Sequence, residues 1–227
     1  MINDRFKYTM LLSSLPLHPT NLFTAQQTPV SRIQLDKRLE LLDESDAQDL
    51  ARIEKLLHWS RISNLNDEML VKQDKVELDA LNNAFLKEIV LWRLELRTVM
   101  SALRRRHSGE VSPPDTVFHG FSKWPGLIIK HWHEKDFGIG HLLPWIHEAN
   151  SLLEQDKTFE LEKALLDLVW RHYARVGSHH YFDFPAVVIY VLRWDVINRW
   201  SGYNKDLAIL RFDELVTAGL ANVVLTD

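Results

Sequence analysis

The strongest pattern in this sequence is a run of apolar residues that recur alternately four and three positions apart. They are Phe85, Ile89, Trp92, Leu96, Val99 and Leu103. Six in-phase positions are typical of an α-helix that buries one face. Leu86, Val90 and Leu94 add a second apolar row beside the first. The sequence therefore predicts a long spine helix, from about Val76 to His107, that packs against several neighbours.

The same helical spacing recurs on both sides of this spine, while glycine is scarce at eight of 227 residues. Both features favour an all-α fold, a multi-helix bundle, over a sheet. Leu35, Leu39 and Leu42 mark one short helix. Ser45 and Gln48 have the spacing of a capping box and predict the start of the next helix.

Two helices are predicted near the end of the chain. Asp183 can cap the first of them, with Pro185 in its first turn. Residues 186–192 alone are equally compatible with a strand, because short apolar runs do not separate the two structures. Asn204 predicts the N-cap of a separate last helix, and Gly219 predicts its end.

Helix-breaking residues cluster between the spine and the second part of the chain. They are Gly109, Ser112, Pro113 and Pro114. Such clusters mark loops and boundaries between structural elements. The sequence therefore predicts two helical halves, residues 1–110, which contain the spine, and residues 117–227.

Composition excludes several classes of function. Twenty-seven Lys and Arg against thirty-one Asp and Glu give a net charge of -4, which provides no basic field for general nucleic-acid binding. The lack of cysteine excludes disulfides and thiolate sites, and fits a reducing compartment. The start does not resemble a signal peptide, and the longest apolar run is far below the roughly 20 residues that span a bilayer. We expect a cytoplasmic protein whose membrane association is peripheral.

Residues suited to catalysis occur without the motifs that would organise them. Ser178, His179, His180 and Asp183 supply the residue types of a hydrolase triad. However, the sequence contains no strained serine elbow of the Gly-x-Ser-x-Gly type. Glycine-rich phosphate loops are also missing. We therefore expect no catalytic residue, no cofactor and no small-molecule substrate.

A histidine-rich region leaves metal binding open as an alternative. Eight of the eleven histidines lie between residues 119 and 180. The candidate ligands are His131, His133 and His141, with Asp136 as a further candidate. Their spacing lacks the pair of histidines four apart, with an acidic partner, that marks a helical zinc site. The alternatives are thus a metal-dependent enzyme and a set of surface and packing histidines.

Arginines at helical spacing give the spine helix a basic end. Cations at this end complement the helix macrodipole, and pairing with nearby glutamates accounts for about half of the cluster. The remainder is suited to an acidic protein surface. Trp194 and Trp200 lie six positions apart, so we expect at least one to be exposed enough to anchor a partner. The candidate partner-binding residues are Arg97, Arg104, Arg105, Arg106 and Trp200.

Three stretches together resemble a known family. They are the start Tyr8-Thr9-Met10-Leu11-Leu12-Ser13-Ser14-Leu15-Pro16, the spine segment Trp92-Arg93-Leu94-Glu95-Leu96-Arg97 leading to Arg104, and the tail from Phe184 through Arg199-Trp200 to Phe212. In order and spacing they resemble poorly characterised bacterial proteins that are encoded with V-type ATPases. Those proteins occupy the place of the C-type subunit, whose eukaryotic counterpart is the d-type subunit.

The resemblance implies a helical, non-catalytic rotor component that seats the central stalk on the membrane proteolipid ring. Its location would be cytoplasmic, peripheral to the inner membrane. The chain is considerably shorter than a true C-type subunit, which puts the threefold repeat of helical modules and a complete socket for the stalk in doubt. No binding residue transfers from the family. The remaining alternative is a helical adaptor of an unrelated assembly.

Overall fold

The computed structural model describes residues 4–58, 67–111 and 120–223, and it describes the side chains of residues 5–58, 69–111 and 120–203. Within these ranges the chain is helical and contains no strand. The all-α class is therefore confirmed. Residues 186–192, for which a strand was an alternative, lie inside a helix.

The described residues form nine α-helices and three short 3-10 helices. The α-helices are α1 Thr9–Ser13, α2 Arg32–Leu39, α3 Glu44–Leu57, α4 Asp67–Asp79, α5 Ala84–His107, α6 Trp124–Lys130, α7 Trp145–Glu154, α8 Thr158–Val176 and α9 Phe184–Val223. The 3-10 helices are Asp4–Phe6, Leu22–Thr24 and Gly177–His179. Most of the predicted helices are present, but three of their boundaries differ from the prediction.

The spine begins later than predicted, because α4 and α5 are separate helices. The backbone of Asn83 is extended, and its side-chain oxygen accepts a hydrogen bond from the Leu86 amide at 3.1 Å. Asparagine favours this N-cap position, because its side chain replaces an intrahelical partner. Most of the predicted apolar rows of α5 are nevertheless buried, Ile89, Val99 and Leu103 among them, whereas Phe85 and Trp92 are only partly buried.

The capping box predicted at Ser45 and Gln48 is wrong. Helix α3 begins at Glu44, and Asp43 is its N-cap residue with an extended backbone. Ser45 therefore already lies in the first turn, and the Gln48 amide donates to the Glu44 carboxylate at 3.4 Å instead. The predicted stripe of this helix, Leu50, Ile53 and Leu57, is buried.

The last two predicted helices are one continuous helix of 40 residues. Its start was predicted correctly, because the Asp183 carboxylate accepts a hydrogen bond from the Ala186 amide at 3.0 Å. The predicted break at Asn204 and the end at Gly219 are wrong. No proline follows Trp200, and an asparagine inside a helix costs less than about 1 kcal/mol, which does not stop helix propagation.

The chain divides into two compact units. Unit 1 consists of Met1–Leu41 and Leu166–Asp227, and unit 2 consists of Leu42–Leu165. The predicted halves, 1–110 and 117–227, divide the chain differently, and residues 112–119 of that boundary lie outside the described residues. In unit 2, α5 contacts α3, α4, α6 and α7, which agrees with the several neighbours expected of the spine.

Candidate functional site

Arg97, the first predicted partner-binding residue, has partners within unit 2. Its guanidinium donates to the main-chain oxygens of Leu56 at 2.7 Å and of His58 at 2.6 Å. The last carbonyls of a helix have no intrahelical donor, so these bonds complete the C-terminal end of α3. Arg97 therefore joins α5 to α3.

The next two arginines of the basic end differ from each other. Arg104 is exposed. Arg105 forms two parallel hydrogen bonds with the Glu110 carboxylate, at 2.7 Å and 2.8 Å. This fork geometry is the strong form of an arginine–carboxylate pair, and it lowers the pKa of Glu110. Arg104 is thus the more accessible of the two for a partner.

Arg106 connects three parts of unit 2. Its guanidinium donates to the main-chain oxygens of Glu134 and Lys135 and to the Asn150 side chain, the last two at 2.7 Å and 2.6 Å. It also lies over the Phe137 ring, 4.4 Å from the centroid. These contacts hold the turns after α6 and the middle of α7 against the end of α5.

The charge of Arg106 is compensated locally. Burial lowers the pKa of Arg106, whereas the negative charges of Glu154 and Asp136 act in the opposite direction. A partly buried cation with several acceptors and nearby carboxylates is well placed to stabilise a fold. The contacts of Arg106 within unit 2 therefore account for this part of the basic end without a partner protein.

The expectation of an exposed tryptophan on α9 is wrong. Trp194 and Trp200 are both buried, with 4% and 6% of their surface exposed. The indole of Trp194 donates to the main-chain oxygen of Val30 at 2.7 Å, and Phe23 packs edge-on against Trp200 at 4.9 Å between centroids. The chain between α1 and α2 thus covers both tryptophans, although they lie on different sides of the helix.

The candidate metal ligands do not form a cluster. His131 pairs with Glu134 at 2.7 Å, and His147 lies 3.9 Å from Asp136, while His133 and His141 are exposed. Over the side chains that the structure describes, no group of three or more His, Asp or Glu residues is placed to hold a metal ion.

The serine, histidine and aspartate that could have formed a hydrolase triad make local hydrogen bonds instead. The Ser178 hydroxyl donates to the main-chain oxygen of Arg175 at 2.9 Å rather than to a histidine. His180 pairs with Asp183 at 2.6 Å, and the same carboxylate caps α9. These bonds stabilise the turn between α8 and α9.

Unit 1 contains a cavity that the sequence analysis missed. Its volume is about 320 Å³, and its walls come from α1, the chain after α1, the end of α8 and the first half of α9. Its apolar lining includes Leu12, Ala186 and Ile189. The polar lining residues that matter most for its chemistry are His18, Tyr190 and Arg193.

Aromatic donors from α8 and α9 hold the irregular chain that forms one wall of the cavity. The Tyr190 hydroxyl donates to the Pro16 oxygen at 2.9 Å, and the Trp170 indole donates to the Thr20 oxygen at 3.4 Å. His18 lies between them, with its ring centroid 4.1 Å from that of Tyr190. Burial raises the pKa of Tyr190 to about 12, so this phenol remains a donor at neutral pH.

His18 is neutral in this environment. Burial is the main cause and the positive charge of Arg193 the second, and together they lower the pKa of His18 to about 3. Its Nε2 lies 3.1 Å from the Tyr190 main-chain oxygen, which can only accept, so the proton resides on Nε2. The unprotonated Nδ1 is buried and has no hydrogen-bond partner among the described residues.

Arg193 stacks on an aromatic ring at the cavity wall. The centre of its guanidinium lies 3.9 Å from the Trp170 ring centroid, and burial lowers the pKa of Arg193. Its Nε is buried without a hydrogen-bond partner in the part of the chain that the structure describes. Within the same residues, Arg193 forms no ion pair with a carboxylate. Cation–π stacking is thus the main described interaction of this charge.

Comparison with protein families, curated proteins and solved structures finds no match to this chain. Among the described residues, no helix is both long enough and apolar enough to cross a bilayer.

Proposed function

We propose that this chain is a non-catalytic, protein-binding component of a bacterial V-type ATPase. In this proposal it takes the place of the C-type subunit, between the central stalk and the proteolipid ring. The resemblance of three sequence stretches is its basis. The all-α fold and the lack of an assembled triad or metal cluster among the described residues are compatible with it.

The observation that carries the proposal is that the start and the tail, both part of the resemblance, pack on each other in unit 1. The Tyr8 amide donates to the Phe182 oxygen at 2.8 Å, and the rings of Tyr8 and Phe184 lie 6.4 Å apart. The Tyr190 hydroxyl binds Pro16 at the end of the first stretch. Two stretches that are far apart in sequence thus form one structural unit, as expected if they share a role.

The same stretch of chain offers an apolar contact surface. Met10 and the neighbouring Leu17 are 82% and 94% exposed. Covering a large apolar side chain contributes about 1.5–3 kcal/mol, so a protein partner would gain from contact here. Arg104, exposed at the end of α5, is the second proposed contact, with an acidic surface of a partner.

Affinity purification from native membranes tests the proposal. The tagged full-length protein is recovered in mild detergent, and the co-purifying proteins are identified by mass spectrometry. We expect stoichiometric stalk and ring subunits of a V-type ATPase. Recovery of the protein alone, or with unrelated proteins, would contradict the assignment.

Two substitutions test the proposed contacts. We expect Leu17→Gln to weaken recovery of the complex, because it removes an exposed apolar contact without disturbing the core. Val76→Gln is the matched control, since Val76 is 70% exposed but lies on α4 in unit 2. Arg104→Glu should also weaken assembly, whereas an unchanged complex would remove the end of α5 from the interface. Circular dichroism checks that each variant is folded.

A further inference from the structure

We infer that the cavity of unit 1 binds a small organic monocarboxylate through Arg193. This inference is independent of the proposed ATPase assembly, because it concerns the isolated chain. The first observation is the location of Arg193, which lines a cavity of about 320 Å³. Small-molecule sites begin at about 300 Å³, so the space suits a small ligand.

The chemistry of Arg193 determines the class of ligand. A guanidinium has five N–H donors in a rigid fork that matches a carboxylate. Among the described residues no carboxylate pairs with Arg193, and its Nε is buried without an acceptor. A partly buried cation without an anion is costly, so a bound carboxylate would compensate its charge. Contact with the Trp170 ring, 3.9 Å from the guanidinium centre to the ring centroid, restricts the position of the guanidinium before a ligand binds.

The other lining groups favour one negative charge on a small apolar body. His18 is neutral and adds no second cation beside Arg193. The Tyr190 and Ser178 hydroxyls already donate to the main-chain oxygens of Pro16 and Arg175. The guanidinium of Arg193 is therefore the main charged donor among the described lining groups, and a single guanidinium matches the two oxygens and single charge of a carboxylate better than the higher charge of a phosphate. Leu12, Ala186 and Ile189 provide apolar walls. These features suit a carboxylate attached to a short aliphatic chain or a single ring.

The test uses sodium acetate, sodium benzoate, uncharged benzamide and inorganic phosphate as probes on the isolated full chain. Binding is measured by calorimetry and by the shift of Tm at constant ionic strength. We expect saturable binding of benzoate or acetate, and at least tenfold weaker binding of benzamide and phosphate. This comparison requires no variant. No saturable carboxylate binding, or equal binding of benzoate and benzamide, would overturn the inference.

Variants then locate the site. We expect Arg193→Gln to weaken benzoate binding at least tenfold, and Arg193→Lys to retain part of it because the charge remains. Arg175→Gln is the matched control, since Arg175 is an exposed arginine outside the cavity, and it should bind as the unmodified protein does. Unchanged binding by a folded Arg193→Gln variant would overturn the role of Arg193. If that variant does not fold, Arg193→Lys and the probe comparison decide.

Discussion

Two arginines, one in each unit, show how differently the same side chain can be used. Arg106 and Arg193 are both partly buried, and burial lowers the pKa of each. Each also stacks on an aromatic ring, Phe137 at 4.4 Å and Trp170 at 3.9 Å. What differs is the set of acceptors around them.

Arg106 is surrounded by three main-chain oxygens, those of Trp132, Glu134 and Lys135, by an amide oxygen and by two nearby carboxylates. Arg193 has no such acceptor among the described residues and borders a cavity. A buried polar group that is fully paired stabilises the fold, whereas one that lacks partners costs free energy unless a ligand supplies them. The comparison thus separates a structural arginine from a binding one, and substitutions can test each assignment.

Replacement of Arg106 by methionine should have the largest effect on stability. The substitution leaves the oxygens of Glu134, Lys135 and Asn150 without their donor, and we expect a loss of about 3 kcal/mol. Urea unfolding, followed by circular dichroism, measures the change. Arg104→Met is the control on the same helix end, because an exposed arginine should contribute less than about 0.5 kcal/mol. Equal effects of the two substitutions would contradict the structural role of Arg106.

Gly140→Ala should have the next largest effect, in the turns that Arg106 binds. A Cβ atom at this position would overlap with the side chains of Asp136 and His147. Asp136 also accepts a hydrogen bond from the Gly140 amide at 3.2 Å. Moving the Asp136 side chain away from the new Cβ atom would therefore break this bond and disturb the turn. We expect a loss of about 2 kcal/mol in the free energy of unfolding.

Gly126→Ala is the matched control for that substitution. Gly126 lies in α6, and a Cβ atom there would meet nothing within 4 Å. Alanine is the better helix former by about 1 kcal/mol, so this variant should be as stable as the unmodified protein or more so. If Gly140→Ala were equally well tolerated, the turns after α6 would be less constrained than their contacts indicate.

Local sequence patterns predicted much of the fold but few of its contacts. Most positions of the apolar rows of α5 and the cap at Asp183, which follow from residues three or four apart, are confirmed. The break at Asn83 was missed because apolar periodicity continues across it. The break predicted at Asn204 is wrong because an isolated cap residue does not outweigh helix propagation.

The cavity was not predictable from sequence, because its residues lie far apart. Tyr190 and Arg193 are three apart on one helix, which predicts a shared face. His18 contacts Tyr190, which is 172 positions away in the sequence, and no local pattern indicates that contact. The basic end of α5 could be recognised from the spacing of its arginines. The hydrogen-bond partners of Arg97 and Arg106 could not be predicted, because the acceptors lie in other elements.

His18 should make unit 1 sensitive to acid. Its folded-state pKa is about 3, while the unfolded value is about 6.5. Above pH 6.5 both states are neutral; as the pH falls from 6.5 towards 3, the unfolded chain binds a proton that the folded chain does not. The free energy of unfolding should therefore decrease by at most about 1.4 kcal/mol per pH unit in this range. The actual decrease should be smaller than this limit, because His18 is partly exposed.

The groups around His18 define the control for this experiment. Arg193, Tyr190 and His180 line the same cavity, so the pH dependence must be compared with that of His18→Gln, which retains a donor for the Tyr190 oxygen. Urea unfolding is measured at pH 7, 6, 5 and 4. The free energy of unfolding should decrease less steeply with falling pH in the variant than in the unmodified protein. Parallel curves for the two proteins would show that other groups cause the acid sensitivity.

Arg193→Gln should have the smallest effect on stability, although it removes a partly buried cation. The loss of the contact with Trp170 costs about 1 kcal/mol. The variant, however, no longer buries a cation that lacks an anionic partner, and this gain offsets much of the loss. We expect a net change within about 1 kcal/mol in urea unfolding without added ligand. Arg106→Gln, the same substitution at the paired arginine, should cost about 3 kcal/mol. A similarly large loss at Arg193 would mean that it serves the fold as Arg106 does, and the distinction between the two would fail.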